Sequence, residues 1–235
     1  MAVMRSRRPT STQQTPHSGL QAAVQRHLST EWAQPLRAHT QQAFDQLAQR
    51  IGQHPHRPVI VDSGCGTGQS TRQLAHAHPN HWVVGVDRSS HRLSKAPQLP
   101  DNAVCVRAEL ADFWRLVVAA RWQVDGHYVL YPNPYPKASQ LKRRWHGHPV
   151  WPSLLAVGER LVVRTNSSLY AQEWRLALQW SNQAAIEARP LTIDQIGHSP
   201  LSPFEKKYAA SGHALDEVTS QRRPALFCPH PHGGG

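Results

Sequence analysis

Val59-Ile-Val-Asp-Ser-Gly-Cys-Gly-Thr-Gly68 decides how the rest of the chain is read. Val59–Val61 is a short apolar run, the pattern of a buried strand. Asp62 follows it, and glycines then stand at 64, 66 and 68. Gly64 and Gly66 have no Cβ, so the backbone there turns tightly and comes close to a ligand. A helix is predicted over Ser70–His78, ended by Pro79. The dinucleotide fingerprint requires glycines at 64, 66 and 69, and position 69 is Gln. A pyrophosphate-binding turn is therefore disfavoured.

Outward from this turn the chain alternates strands and helices. Strands are predicted at Trp82–Val86, Ala103–Val106, Tyr128–Tyr131 and Leu161–Val163. Helices are predicted at Leu110–Ala120, at Val150–Val157 (closed by Gly158), and along the face marked by Tyr170, Trp174, Ala177 and Leu178. Ala184–Ala188 and Phe204–Tyr208 are the candidate last strands. The alternation predicts an α/β fold: a doubly wound, mostly parallel seven-stranded sheet with helices on both faces. Ahead of it, apolar residues from Leu36 to Ile51 fall at helical spacing, and Gly52 with the HPHRP segment ends that helix. Residues 1–20 are expected to form a disordered basic arm, 21–55 a helical extension, 56–217 the α/β domain and 218–235 a disordered tail.

Composition narrows the partners. Of 235 residues, 26 are Lys or Arg and 15 Asp or Glu, a formal charge of +11. A chain this basic is expected to meet a polyanion, because Lys and Arg release counterions from phosphate. No window approaches a membrane span, and the basic N-terminus lacks the apolar stretch of a signal peptide. Cys65, Cys105 and Cys228 are odd in number and show no framework spacing, so a reducing cytoplasm is expected. The histidines are scattered without metal-ligand spacing, and no metal is expected, the Cys228–His232 stretch reading as tail. A monomer is the default.

Carboxylates mark the ends of the first three strands. Asp62 ends the first, Asp87 the second, twenty-five residues later, and Glu109 follows the third. A carboxylate after the second strand accepts hydrogen bonds from both hydroxyls of a ribose, and ligands of open sheets bind beyond the carboxyl ends of the strands. The pattern D-x-G-x-G-x-G resembles the cofactor turn of class I S-adenosylmethionine-dependent methyltransferases.

After the fourth strand comes Tyr131-Pro-Asn-Pro-Tyr-Pro-Lys137, then Lys142-Arg-Arg144. Prolines at 132, 134 and 136 fix φ and stiffen the loop, Tyr135 offers a face for a base, and Lys137, Lys142, Arg143 and Arg144 offer charges to phosphates. Further on stand Thr165-Asn166, then Tyr170 and Trp174, and near the end Ser202-Pro-Phe-Glu205-Lys-Lys.

These segments resemble the bacterial tRNA (guanine-N7) methyltransferase family. Its members carry [FY]-P-D-P-W-P-K before a basic stretch ending K-R-R, then Thr-Asp after a strand, Tyr-x-x-x-[Trp/Met] on a helix, and T-x-F-E. The resemblance spans residues 56–217. It implies a class I methyltransferase fold, S-adenosylmethionine as cofactor and tRNA as substrate, methylated at N7 of guanine 46 in the variable loop. Asp62, Gly64, Gly66, Asp87 and Glu109 would hold the cofactor. Asn133 would stand at the reacting base, and Lys137, Arg143, Arg144, Thr165, Asn166, Ser202 and Glu205 would lie near the substrate or the methionine end.

The chain departs from the pattern at several of these positions. Asn133 and Asn166 replace aspartates, Tyr135 replaces Trp, Ser202 replaces Thr, and Gln140 and Leu141 stand where histidines are usual. Guanine N7 has a lone pair and no proton, so its methylation needs no general base; it needs in-line positioning. An amide still accepts a hydrogen bond but cannot offset positive charge. Two alternatives therefore stand beside the family activity: a non-catalytic or altered-specificity RNA-binding homologue, and a methyltransferase for exocyclic amines of nucleic acid, suggested by Asn-Pro-Tyr after the fourth strand.

Overall fold

In a computed structural model, residues 13–196 and 200–223 are described. Among them the chain forms nine α-helices and seven strands. In chain order these are α1 (Leu20–Ser29), α2 (Ala38–Gly52), β1 (Val59–Ser63), α3 (Gln69–Ala77), β2 (Trp82–Asp87), α4 (Ser90–Leu93), β3 (Ala103–Arg107), α5 (Leu110–Ala119) and β4 (Val124–Leu130). Then follow α6 (Trp151–Ala156), β5 (Arg160–Thr165), α7 (Ser168–Trp180), β6 (Ala184–Leu191), α8 (Ile193–Ile196), α9 (Pro203–Ala210) and β7 (Leu215–Gln221). Two 3₁₀ turns, Ala138–Arg143 and Trp145–Gly147, link β4 to α6.

The strands form one sheet in the order β3-β2-β1-β4-β5-β7-β6. β3, β2, β1, β4 and β5 pair in parallel, and β7 runs antiparallel to both of its neighbours. Every residue of β1 and β2 is buried, as helices on both faces of a parallel sheet require. β6 sits at the edge and is largely exposed, and it alone among the strands carries a proline, Pro190, where no inner ladder loses a donor. No described helix is long and apolar enough to cross a membrane.

The seven-stranded, mostly parallel architecture matches the expectation, with three differences. Phe204–Tyr208, expected as a strand, lies in α9. The Ser202 hydroxyl accepts from the Glu205 N–H at 3.2 Å and Pro203 takes the first turn, and these helix-start signals outweigh the strand preference of the aromatics. The last strand is β7, which runs through residues 218–221 of the expected tail. Finally, residues 13–20 are tied to the domain: Gln13 and the His17 N–H both bond the Glu173 carboxylate. The remaining tail and arm, including Cys228 and His232, lie outside the described residues.

The largest core lies under α1, α2, α5, α6 and α7. Trp114, Trp151 and Trp174 are fully buried there, with the Trp151 and Trp174 rings 5.3 Å apart edge to face. Trp145 and Trp180 pack at its margin. Single aromatics on these segments are thus core.

Candidate active site

The strand order reverses between β1 and β4, since β2 and β3 lie on one side of β1 and β4 and β5 on the other. Ligand crevices of open α/β sheets form at such a switch point, beyond the carboxyl ends of the strands. Here β1 and β4 are direct parallel neighbours, with Asp62 beside Tyr128 and Ser63 beside Val129. The glycine turn leaving β1 and the proline loop leaving β4 therefore emerge from adjacent strands at the same edge.

Gly64, Gly66 and Gly68 have φ of +80°, +60° and +73°. These left-handed conformations are costly for any residue with a Cβ. A Cβ at Gly64 or Gly66 would meet no atom within 4 Å, so both face open space. The Gly64 and Cys65 N–H groups donate to the Val86 carbonyl, which binds the turn to β2.

Asp62 is buried, and one of its oxygens accepts from Ser70 Oγ at 2.6 Å and Thr71 Oγ1 at 2.7 Å. Its other oxygen, Oδ1, is buried without a partner among the described residues. Burial pushes the Asp62 carboxyl up to about 6, against the two hydroxyl bonds, and the neighbouring Asp87 adds to the rise. Asp87, also buried, accepts from the Gly66 N–H at 3.0 Å, the Ser89 N–H at 2.8 Å and the Arg92 guanidinium at 2.9 Å. Glu109, half-buried at the N-cap of α5, completes the row of strand-end carboxylates, its backbone N–H donating to Thr40 Oγ1.

The proline loop is held in a strained form. Tyr131 and Tyr135 have φ of +53° and +45°, values rare for bulky side chains. Each is pinned from several directions. The Tyr131 N–H donates to the Arg164 carbonyl at 2.7 Å, and its hydroxyl to Glu205 Oε1 at 2.9 Å. Asn133 Oδ1 accepts from the Tyr135 N–H at 3.1 Å, closing an Asx turn. The Arg144 guanidinium donates to the Tyr135 carbonyl and Arg143 lies over the Tyr135 ring at 4.5 Å.

This distribution separates the candidate residues into two groups. Asn133, Lys137 and Arg143 are exposed on the loop, where a substrate reaches them. Arg144, expected near the substrate, lies beneath the loop and bonds its backbone. It is buried, its guanidinium pairs with both oxygens of buried Glu173 at 2.6 and 2.5 Å, and it also donates to the Lys137 carbonyl and Gln13. A charge so enclosed cannot meet a polyanion.

Thr165, Ser202 and Glu205 are likewise buried beneath the site rather than open to it. Thr165 Oγ1 accepts from the Ser167 N–H, and Ser202 caps α9. Glu205 takes the Tyr131 hydroxyl, Arg164 at 2.7 Å and the Leu201 N–H at 2.6 Å. Burial works against the Arg164 charge, but Glu205 and Glu217 outweigh it and raise its pKa. Partly buried Asn166 bonds His213 at 3.2 Å. The sequence reading missed Arg92, Arg164 and Glu173. Arg164 had a visible signal, a charge inside the apolar run of β5; the other two had none.

The profile of a family described as putative methyltransferase matches residues 56–217. Among solved structures, the 16S rRNA methyltransferase KamB superposes with a TM-score of 0.54 at 16% identity, covering 81% of this chain and 97% of that one, a likeness of fold. The tRNA (guanine-N(7)-)-methyltransferase of Nocardia farcinica is 28% identical over 77% of this chain and 78% of its own length. The enzyme of that name from a Nocardioides species is 31% identical over 189 residues, which are 72% of this chain and 69% of the relative. Sharing sequence at this level over most of both proteins, and carrying the fold and the two loops at the same sheet edge, this chain belongs to the tRNA (guanine-N7) methyltransferase family of class I methyltransferases.

Proposed function

We propose that this chain transfers a methyl group from S-adenosylmethionine to N7 of a guanine in tRNA, the variable-loop guanine 46 being the expected target. The observation that carries the reading is the pairing of β1 with β4, which sets the glycine turn and the strained proline loop side by side at the switch point.

The residues present fit the cofactor. The glycines leave open space where side chains would stand, and buried Asp62 Oδ1 has no partner among the described residues to compete with a ligand's donor. Gly64, Gly66 and Asp62 would hold it, Asp87 would accept from a ribose on displacing Ser89 or Arg92, and Glu109 would lie on the far side of the crevice. S-adenosylmethionine supplies, when bound, an electrophilic methyl group.

The chain's own work is positioning. Guanine N7 presents a lone pair, so no residue needs to remove a proton, and the rate depends on how well the base is held in line. Lys137 and Arg143, exposed beside the loop, would take phosphates of the RNA. Asn133 would accept from the guanine edge through the second lone pair of its carbonyl oxygen, the first being used by the Tyr135 N–H. Arg144, Glu173, Glu205, Tyr131 and Arg164 would act one layer below, fixing the loop. Asn166, bonded to His213, would hold the neighbouring strand end.

The test is methyl transfer from labelled S-adenosylmethionine to unmodified bulk tRNA, with digestion and identification of the methylated nucleosides. 7-Methylguanosine is the expected product. Binding of both cofactor and tRNA without incorporation would leave a non-catalytic RNA-binding protein, and N6-methyladenosine would point to exocyclic-amine chemistry.

A further inference from the structure

Phe204 is one of two large hydrophobic side chains, with Leu28, that the described residues leave exposed, at 43%. The helix start at Ser202 explains its neighbours but not Phe204 itself, because residue 204 turns away from the core while Glu205 turns in. Its ring lies along that of Tyr208, 6.0 Å away at 25°, and Tyr208 lies along that of His213, 5.2 Å away at 14°. The three rings make a near-parallel ladder that begins at solvent and ends on a buried histidine.

The foot of this ladder meets the candidate active site at two points. His213 bonds Asn166, the residue that follows β5. Tyr131, which opens the proline loop, leans on Tyr208 at 5.6 Å and donates its hydroxyl to Glu205 of the same helix α9. Exposed Lys207, three residues on from Phe204 in α9, lies on the same side of the helix as the upper end of the ladder. An aromatic face that continues a stack, with a cation beside it and its foot at the proline loop, suits a nucleobase whose phosphate that lysine neutralises.

We propose that Phe204 is a stacking platform for an unpaired base of the RNA substrate, a purine by preference for its larger face, next to the nucleotide that enters the site. The base adds a fourth ring to the Phe204–Tyr208–His213 ladder, and Lys207 takes the adjacent phosphate. Phe204 is then a positioning residue for the substrate strand. The inference rests on RNA being the substrate, as argued above.

The experiment compares the wild type with Phe204→Ala, Phe204→Leu, Phe204→Tyr and Lys207→Gln, measuring tRNA affinity across a salt series and cofactor affinity for each. Loss of one stacked base weakens tRNA binding about tenfold in Phe204→Ala. Phe204→Leu, which keeps apolar bulk but no π-face, stays close to the Ala variant, and Phe204→Tyr stays within about twofold of wild type. None of the three changes the salt slope or cofactor binding, whereas Lys207→Gln flattens the slope by about one phosphate contact. Equal tRNA affinity for wild type and Phe204→Ala would overturn the platform while leaving the proposed function standing. A leucine variant that binds like wild type would also overturn it, reducing Phe204 to an apolar contact. If the wild type binds no tRNA, the functional reading itself falls, and the platform with it.

Discussion

Arg144 Nη1 sits 2.6 and 2.5 Å from the two carboxylate oxygens of Glu173, with both side chains at most 2% exposed. Neither residue reaches solvent, yet the other arm of the guanidinium grips the Tyr135 and Lys137 carbonyls of the proline loop. α7 therefore holds the strained loop through a single buried ion pair.

Arg144→Met should remove that hold and strand a buried carboxylate. Breaking one side of a buried pair costs about 3–5 kcal/mol, more than an exposed pair contributes. Because each single variant leaves the other charge buried and unpaired, the double variant Arg144→Met/Glu173→Leu should lose less than the sum of the single variants. Denaturant unfolding of the three proteins gives the coupling. Additive losses would show that the pair does not act as a unit.

Buried histidines and a buried aspartate act on acid stability with opposite signs. Burial pushes His127 and His146 down to about 3, from an ordinary 6.5. Between those values the unfolded chain binds protons that the fold refuses, so each histidine lowers stability progressively as pH falls below 6.5. Asp62 acts with the opposite sign. Its folded value near 6 stands above the ordinary 3.8, so the fold holds a proton there that the unfolded chain has released, and acidification from 6 to 4 favours the fold. His27, His78 and His148, also lowered by burial, act in the same sense as His127 and His146, so stability should fall on acidification over that window. Unfolding midpoints at pH 7, 6, 5 and 4 should trace this fall, and Asp62→Asn should steepen it. A flat profile would contradict the burial of the histidines as neutral groups.

What the sequence made legible follows from how local each signal is. The glycine turn, the strand-end carboxylates and the stiff proline loop are contiguous patterns, and they landed at adjacent strand ends. Arg144, by contrast, reads as one of three cations in a row, and nothing local distinguishes it from Arg143. Its role depends on Glu173, far along the chain on another helix, and burial of that kind has no sequence period. Glu205 shows a related limit: its motif is local, but the Tyr131 hydroxyl it accepts from comes from a loop 74 residues earlier. Phe204 and Tyr208 favoured a strand by composition, while the cap at Ser202 decided the helix.

Gly64 and Gly85 should fail in opposite ways when given a methyl group. At Gly85 a Cβ would lie 2.3 Å from Thr71 Oγ1, 2.9 Å from Cys105 Sγ and 3.1 Å from Cys65 Sγ. Gly85→Ala overpacks a buried strand and should cost about 1–3 kcal/mol, displacing the hydroxyl that bonds Asp62. Gly64→Ala meets no atom, so its cost is the positive φ alone, about 1–2 kcal/mol. Its methyl group, however, enters the space assigned to the cofactor. Thermal melts and cofactor titrations on both variants should show Gly85→Ala losing more stability and Gly64→Ala losing more affinity. The reverse ranking would move the cofactor away from the glycine turn.

Asn133→Asp is the sharpest test of the loop's chemistry. The Asx turn needs only an oxygen to accept from the Tyr135 N–H, and a carboxylate supplies one, so the variant should fold and keep the positive φ of Tyr135. Its exposed position makes the added charge cheap to solvate. If Asn133 meets the guanine, a carboxylate strengthens the bond to the base N–H and offsets the positive charge that N7-methylation creates. A charge-assisted bond is about twice as strong as a neutral one, so kcat should rise several-fold on tRNA, with cofactor affinity unchanged. Added charge on a basic surface should at the same time weaken binding of RNA slightly, raising KM. A variant with unchanged kcat would place Asn133 off the reacting base and leave it as a turn residue only.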